Sequence, residues 1–385
     1  MKIAIPKERR AHERRVAASP ESVKKLLGLS LSNLSVVVES GAGRGAAYTD
    51  QAYRDAGAEI GSDYAATVKD ADVVMKVQRP LMSSEGGELD ELGQLPKGCK
   101  LIGMLDPLQT PEAVKAYADA GVDAFSMELM PRITRAQDKD ALSSQANLAG
   151  YRAVIDAAGA FARGFPMMMT AAGTVPPARV FIMGAGVAGL QAIATARRLG
   201  GVVSATDVRP AAKEEVESLG ASFVAVEDEE FKQAEAAGGY AKEMSEEYKK
   251  KQAQLVADTV KKTDIIITTA LIPGKPAPKL VTKDMVESMK PGSVVVDLAV
   301  LQGGNCEVSQ PDEVIEHNGV TVVGHTNWPS RLAVSASSLY ARNLFNFFKL
   351  MADSESGGLS VNMEDQIMAD TCLTQGGKVV HPKLT

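Results

Sequence analysis

The chain has 385 residues, enough for two large domains or three small ones at about 100–200 residues each. Hydrophobic residues make up 45% and charged residues 23%, a balance that excludes a disordered, fibrous or collagen-like chain. Forty-two basic against 48 acidic residues leave a formal charge of −6, with no excess of cations to neutralise phosphates, which argues against a nucleic-acid binder.

Strand and helix patterns alternate along almost the whole chain, the signature of βαβ units and parallel sheets. The N-terminal third offers strands at Lys2–Ile5, Ser35–Glu39, Asp72–Lys76, Lys100–Met104 and Val122–Ser126, with helical patterns at Pro20–Leu27 and Pro111–Ala120 between them. Ala141–Arg163 carries apolar residues at helical spacing without a proline and is expected to cross from one domain to the next. A proline-rich segment, FPMMMTAAGTVPPAR, follows. Six further strands are expected at Ala178–Met183, Val202–Asp207, Ala221–Val226, Asp264–Thr268, Ser293–Leu298 and Val320–Gly324, as many as one complete doubly wound dinucleotide-binding domain requires. A second long helix, Arg331–Leu350, would cross back, and the tail from Gly357 would pack on the first domain. The expected fold is therefore α/β, with two Rossmann-like doubly wound domains joined by long crossing helices. Residues 1–142 with 331–385 form a discontinuous first domain, and 143–330 the nucleotide-binding one.

The first half of the second domain carries the strongest chemical motif, Gly184-Ala-Gly186-Val-Ala-Gly189, placed between a strand and a helix. The first glycine permits the tight turn, the second lets a pyrophosphate reach the backbone, and the third lets the helix pack closely on the sheet. The helix N-terminus then supplies free N–H groups and its positive dipole end. Gly184, Gly186, Val187, Ala188 and Gly189 are the candidate diphosphate contacts. Eighteen residues after Gly189 stands Asp207, at the end of the next strand. A carboxylate there accepts both ribose hydroxyls and repels a 2′-phosphate, which selects NAD over NADP. Val208 and Arg209 follow it, Arg209 being expected to border the adenine. A second glycine run, Gly41-Ala-Gly43-Arg-Gly45, also follows a strand, but no acidic residue closes a later strand at the right distance, so it is read as a structural loop.

Cys99, Cys306 and Cys372 are far apart and odd in number, which gives no disulfide framework and fits a reducing, cytoplasm-like compartment. His12, His317 and His381 show no ligand spacing, so no metal site is expected. MKIAIPKERR enters a strand pattern without an apolar h-region, and the uncharged run Val180–Ala196 is short and broken by glycines. Neither a signal peptide nor direct membrane insertion is expected.

The runs MPRITRAQDKDALSSQANLAGYRAV, MTAAGTVPPARV, GAGVAGLQAIATA, TTALIPGKPAPKL and VVVDLA..GGNC together resemble the NAD(H)-binding domain I (alpha-1 subunit) of the proton-translocating nicotinamide nucleotide transhydrogenase family. Alanine dehydrogenase is its nearest relative. The resemblance runs from IPKERR to VVHPKLT. It implies NAD(H) bound on this chain, NADP(H) on a partner domain, and a transmembrane proton-channel domain. It also implies a homodimer held at the cytoplasmic face of the inner membrane through its partner.

The resemblance assigns a nicotinamide loop: Asp140 and Ser143 hold the carboxamide or ribose, Arg132 orients the ring, and Gln137 reaches toward the partner's nucleotide. On the residues alone, a solvated loop before an N-capped helix is the better reading, since Asp140 and Ser143 are both helix-start residues, and it is the resemblance that turns the reading toward function. Glu227–Lys251, with 13 charged residues among 25, is too long and polar for a compact βα connection. The resemblance makes it a mobile lid, with Gly239 and Tyr240 closing over the nucleotide. Ala270 and Leu271 follow the fourth strand at the sheet's carboxyl edge and are expected to reach the adenosine with their backbone. His325 and Asn327, also at a strand's carboxyl end, and Tyr151 on the long helix are candidates for site lining.

An alanine dehydrogenase reading is the alternative. Arg15 and Lys76 match the positions that hold the substrate carboxylate in that enzyme. Its catalytic histidine and aspartate should fall where this chain has Asp106 and Leu301. Oxidative deamination needs a general acid/base in hydrogen-bond reach of the reacting group. Hydride transfer between two nicotinamides needs only positioning and exclusion of water.

Overall fold

A computed structural model describes residues 1–87, 89–232 and 244–384. The chain divides into two compact units, Met1–Gln145 with Pro329–Thr385, and Ala146–Trp328.

The first unit is built on six parallel strands: β1 (Lys2–Ile5), β2 (Ser35–Glu39), β3 (Glu59–Gly61), β4 (Val73–Gln78), β5 (Lys100–Met104) and β6 (Asp123–Ser126). Their order is β3-β2-β1-β4-β5-β6, so the winding reverses between β1 and β4. The central strands are nearly continuous apolar runs because helices cover both faces of the sheet. On one face Ile3, Val36, Met75 and Ile102 pack with Tyr340, Phe347 and Phe348 of the helix Ala333–Phe348. On the other, Val74 and Leu101 pack with Val114 and Tyr117 of the helix Pro111–Asp119. The strand β3 has no sequence signal, being three residues long; it is fixed by pairing of Val37–Glu39 with Glu59–Gly61.

In the second unit the first strands form a hairpin, β7 (Met168–Thr170) and β8 (Gly173–Val175), inside the stretch read from sequence as a proline-rich connection. The hairpin is exposed, with Met167 and Met169 open to solvent. A seven-stranded sheet follows, from β9 (Arg179–Met183), β10 (Val202–Thr206), β11 (Ser222–Phe223), β12 (Ile265–Thr268), β13 (Val294–Asp297), β14 (Val314–His317) and β15 (Val320–Val323), in the order β11-β10-β9-β12-β13-β15-β14. Six strands are parallel and β14 is an antiparallel edge strand paired with β15, one strand more than the sequence suggests. The winding reverses between β9 and β12, and that is where the glycine turn lies.

Two expectations need correction. The strand expected over Ala221–Val226 keeps only Ser222 and Phe223 in the ladder; after Val224 bonds to Ala205 the chain turns away, and the Val226 N–H is held by Gln252 instead. The second long helix does not cross back. It lies wholly within the first unit, and the passage between units falls at Trp328–Pro329, ahead of it. The first long helix, Ala141–Ala160, contains the other boundary, between Gln145 and Ala146.

The tail continues the first unit. Phe125 bridges Cys372, and the Leu373 N–H donates to Ala124 O at 2.8 Å, so the tail sits along the β6 edge. The three cysteines are buried and none forms a disulfide. Among the described residues no helix is long and apolar enough to cross a membrane.

Candidate functional site

The turn after β9 explains each glycine of the motif. Gly184 has φ +103°, a conformation that L side chains rarely adopt, and a Cβ there would stand 2.7 Å from Thr269 Oγ1. A Cβ at Gly189 would stand 1.9 Å from Gly184 O, so the helix Val187–Arg198 can pack this closely only with glycine. Gly186 is the N-cap of that helix, and a Cβ on it meets no described heavy atom within 4 Å. Two glycines are thus required by the protein's own packing, while the third leaves open space beside unpaired helix N–H groups. A diphosphate fits that arrangement. Val187 is exposed and Ala188 partly so, both in the first turn.

The loop after β12 closes the other side of the turn. Thr269 Oγ1 donates to Gly184 O at 3.1 Å. Ala270 is held on both sides by one buried side chain: its N–H donates to Asn305 Oδ1 at 3.0 Å, and Asn305 Nδ2 donates to Ala270 O at 2.8 Å and Pro278 O at 2.9 Å. Leu271 next to it is exposed. Asp297, at the end of β13, accepts from Ala299 N, Cys306 N and Ser309 Oγ, fixing the chain that carries Asn305. Sequence reasoning missed Thr269 and Asn305 as site supports. Their only signals were the runs TTALIPGKPAPKL and GGNC, which by themselves say nothing of a pairing 35 residues apart.

Asp207 stands beside the turn as expected, and its carboxylate is engaged. Oδ2 accepts from the Ala185 N–H at 2.7 Å, and Oδ1 accepts from the Arg209 N–H at 2.8 Å and Nε at 2.9 Å. Arg209 Nη2 also reaches Ala185 O at 3.1 Å, so the guanidinium folds back over the carboxylate and the turn. The Asp207 partnership holds the Arg209 guanidinium more firmly charged than usual. Val208 between them is exposed.

In the first unit, Arg132 and Gln137 are exposed and Asp140 is half-buried. Asp140 Oδ1 accepts from the Ser143 N–H at 2.9 Å and Oδ2 from its hydroxyl at 2.5 Å, so Asp140 caps the helix that follows. The loop carrying these residues is a 3-10 turn, Thr134–Lys139, with Ala136 in the core and Arg135 paired at two 2.7 Å contacts with Asp365.

Arg15 and Lys76, the two cations of the alternative reading, are both buried and both neutralised internally. Arg15 Nε and Nη2 donate to the Glu13 carboxylate at 2.8 and 2.7 Å. The Lys76 ammonium lies 3.2 Å from Glu91 and 3.4 Å from Glu8, and burial pushes the Glu8 carboxyl up against the pull of Lys76. Asp106 has φ +50°, its N–H donates to Glu128, and burial raises its carboxyl. Leu301 is 72% exposed and carries no acid/base group.

His325 sets its ring edge against buried Trp328, and Tyr151 is partly exposed. Gly239, Tyr240 and the middle of the expected lid lie outside the described residues. Within the lid segment, Glu229–Lys232 and the start of Glu246–Val260 are helical, and Ser245 Oγ donates to Glu230 at 2.7 Å, joining the two flanks. The second glycine run is a packed loop: a Cβ at Gly45 would stand 2.4 Å from Arg14 O, and the Gly41 N–H is held by Asp50. Among the described residues no group of His, Cys, Asp and Glu side chains is arranged to hold a metal ion.

Residues 4–149 match the alanine dehydrogenase/PNT N-terminal domain and residues 153–382 the C-terminal domain of the same family. The chain is 58% identical over 385 residues to an NAD(P) transhydrogenase subunit alpha chain of Rhodospirillum rubrum, the first of the pieces that make up that subunit, covering 100% of this chain and 99% of that protein. A crystal structure of transhydrogenase from Sinorhizobium meliloti superposes with a TM-score of 0.88 at 55% identity, covering 99% of this chain and 100% of that one. The alanine dehydrogenase of Bacillus subtilis is 33% identical over 328 residues, covering 84% of this chain and 77% of that protein. The chain therefore belongs to the alanine dehydrogenase/PNT family, and within it is more similar to these transhydrogenases than to that alanine dehydrogenase.

Proposed function

We propose that this chain is the NAD(H)-binding component of a proton-translocating transhydrogenase, exchanging hydride with NADP(H) held on a partner domain. The observation that carries the reading is the turn at the β9/β12 reversal, where Gly184 and Gly189 serve packing and Gly186 faces open space at a helix N-terminus. Bound NADH supplies the hydride. The turn residues Gly184, Gly186, Val187, Ala188 and Gly189 hold the diphosphate, and Asp207 takes the ribose hydroxyls, which favours NAD over NADP. Val208, Arg209, Ala270 and Leu271 border the adenosine, with Gly239 and Tyr240 closing over it. Arg132, Asp140 and Ser143 orient the nicotinamide end, and Gln137 acts toward the partner's nucleotide.

The internal pairing of Arg15 with Glu13 and of Lys76 with Glu8 and Glu91 speaks against a substrate carboxylate at either cation. Leu301 carries no acid/base group and Asp106 stands where that enzyme's histidine is expected, so the matched positions do not reproduce the histidine and aspartate of the alternative reading. The partners in this reading are an NADP(H)-binding domain, a transmembrane proton-channel domain and a second copy of the chain, for which the exposed Met167–Met169 hairpin offers apolar surface. The assembly would sit at the cytoplasmic face of the inner membrane through that membrane partner.

The test is NADH oxidation by the chain alone, with pyruvate and ammonia, and with an added NADP(H)-binding domain and NADP⁺. Turnover only in the third condition supports the proposal; turnover in the second favours the amino-acid dehydrogenase.

A further inference from the structure

Within the first unit, a series of buried and half-buried polar side chains leads from Arg15 to the loop that bears Gln137. The Arg15 guanidinium has three edges in use. Two go to Glu13, whose side chain is fully buried and also accepts from Gln78 Nε2 at 2.6 Å. The third, Nη1, donates to Gln145 Oε1 at 2.8 Å. Gln145 Nε2 then donates to Ser144 Oγ at 3.2 Å and to Ala336 O at 3.2 Å. The single Ser144 hydroxyl proton has two acceptors in reach, Asn343 Oδ1 at 2.8 Å and Ala141 O at 3.1 Å, and the shorter bond runs to Asn343, whose Nδ2 donates to Asp138 O at 3.0 Å. Asn346 Nδ2 reaches the same carbonyl at 3.2 Å.

Every link donates in one direction, from the buried cation outward, so each bond polarises the next. The series ends on the main chain between Gln137 and Asp140. Arg15, Gln145 and Asn343 are 4%, 4% and 6% exposed, so these three cannot exchange a partner for water at low cost, while Ser144 between them is half-buried. Arg15 balances the buried Glu13 carboxylate, and its remaining edge, Nη1, donates to Gln145.

We infer that Arg15 is a positioning residue, acting through Gln145, Ser144 and Asn343 to fix the loop that carries Arg132, Gln137 and Asp140, rather than a ligand for a substrate carboxylate. The loop is then set at two places: by Arg135 with Asp365 on its outer side, and by this relay on its inner side. The kinetic consequence rests on the transhydrogenase reading above, since only a loop that aligns two nucleotides has a rate to lose; the anchoring itself does not.

Gln145→Leu cuts the relay while leaving the Arg15–Glu13 pair in place. Ser144→Ala cuts it one link further on, and Ser144→Thr restores the hydroxyl. Two readouts are taken on the full chain: amide hydrogen exchange over 132–140, and stopped-flow hydride transfer to an NADP(H)-binding domain with both nucleotides saturating. The expected result is at least tenfold faster exchange of the 137–140 amides in Gln145→Leu and Ser144→Ala, with the β4 and β5 amides unchanged and Ser144→Thr close to native. Transfer should fall at least tenfold while the NADH dissociation constant moves by less than threefold. Native exchange over 137–140 in Gln145→Leu overturns the relay, as does pyruvate binding to the native chain that is lost in Arg15→Lys. If the native chain transfers no hydride to the partner, the transhydrogenase reading fails, and the exchange data still decide whether Arg15 anchors the loop.

Discussion

Arg209 folds back onto Asp207, its Nε donating to Oδ1 at 2.9 Å and its Nη2 to Oδ2 at 3.2 Å. The same carboxylate holds the Ala185 N–H of the glycine turn. Asp207 is thus both a support of the turn and, on the proposed function, the group that takes the ribose hydroxyls. A ribose binding there takes over bonds that the guanidinium now makes, and Arg209 becomes a competitor for its own neighbour.

That relationship predicts opposite effects at two positions separated by one residue. Asp207→Ala should weaken NADH binding by about 1.5–3 kcal/mol, the worth of a charge-assisted hydrogen bond. It also leaves Arg209 without its counter-charge, so NADPH should gain relative to NADH. Arg209→Ala should leave NADH affinity equal to or above native. Fluorescence titration with both nucleotides reads all three values. Equal affinity of the native chain for NADH and NADPH would remove Asp207 from the role.

The glycines separate packing from binding. Gly189→Ala places a Cβ against Gly184 O and should lower stability by roughly 1–3 kcal/mol, as overpacking does. Gly186→Ala puts its methyl into open space and should leave the thermal midpoint within a degree or two of native while reducing NADH affinity at least tenfold. Thermal melts with and without NADH distinguish the two. A Gly186→Ala protein that binds NADH as the native chain does contradicts the diphosphate assignment.

Much of the nucleotide unit was legible because its signals are local. An apolar run such as Ile265–Thr268 is written within a single strand, and a glycine turn followed at a fixed distance by Asp207 within one βαβ stretch. What was not legible depends on partners distant in sequence. The strand β3 exists through pairing with β2, and β14 through pairing with β15; neither has a pattern of its own beyond three or four residues. Arg15 meets Gln145 across 130 positions, and Ser144 meets Asn343 across 199, separations that no periodicity reveals. Sequence alone therefore left Arg15 as a match to a substrate-binding position, while the fold surrounds it with Glu13 and Gln145.

Glu128 predicts a pH dependence of stability. Its carboxyl accepts from the Leu105 and Asp106 N–H groups and the Ser126 hydroxyl, yet burial pushes it up to about 7 from an ordinary 4.5. The folded chain holds this proton more tightly than the unfolded one, so stability should fall as pH rises from about 4.5 to about 7. The full effect is on the order of 3 kcal/mol, reduced because part of the residue reaches solvent. Thermal midpoints between pH 5 and 8 should decline in the native chain and decline less in Glu128→Gln. An identical decline in both would assign the dependence to other groups.

Single-turnover hydride transfer from NADH on this chain to NADP⁺ on an isolated NADP(H)-binding domain, read by stopped-flow absorbance with both nucleotides saturating, tests the central claim most directly. The account predicts rapid transfer in the mixture and none by the chain alone. It predicts on the order of 100-fold slower transfer in Gln137→Asn at unchanged NADH affinity, because misplacement of about 1 Å costs that much. No transfer in the native mixture, or NADH oxidation by the chain alone with pyruvate and ammonia, would contradict it.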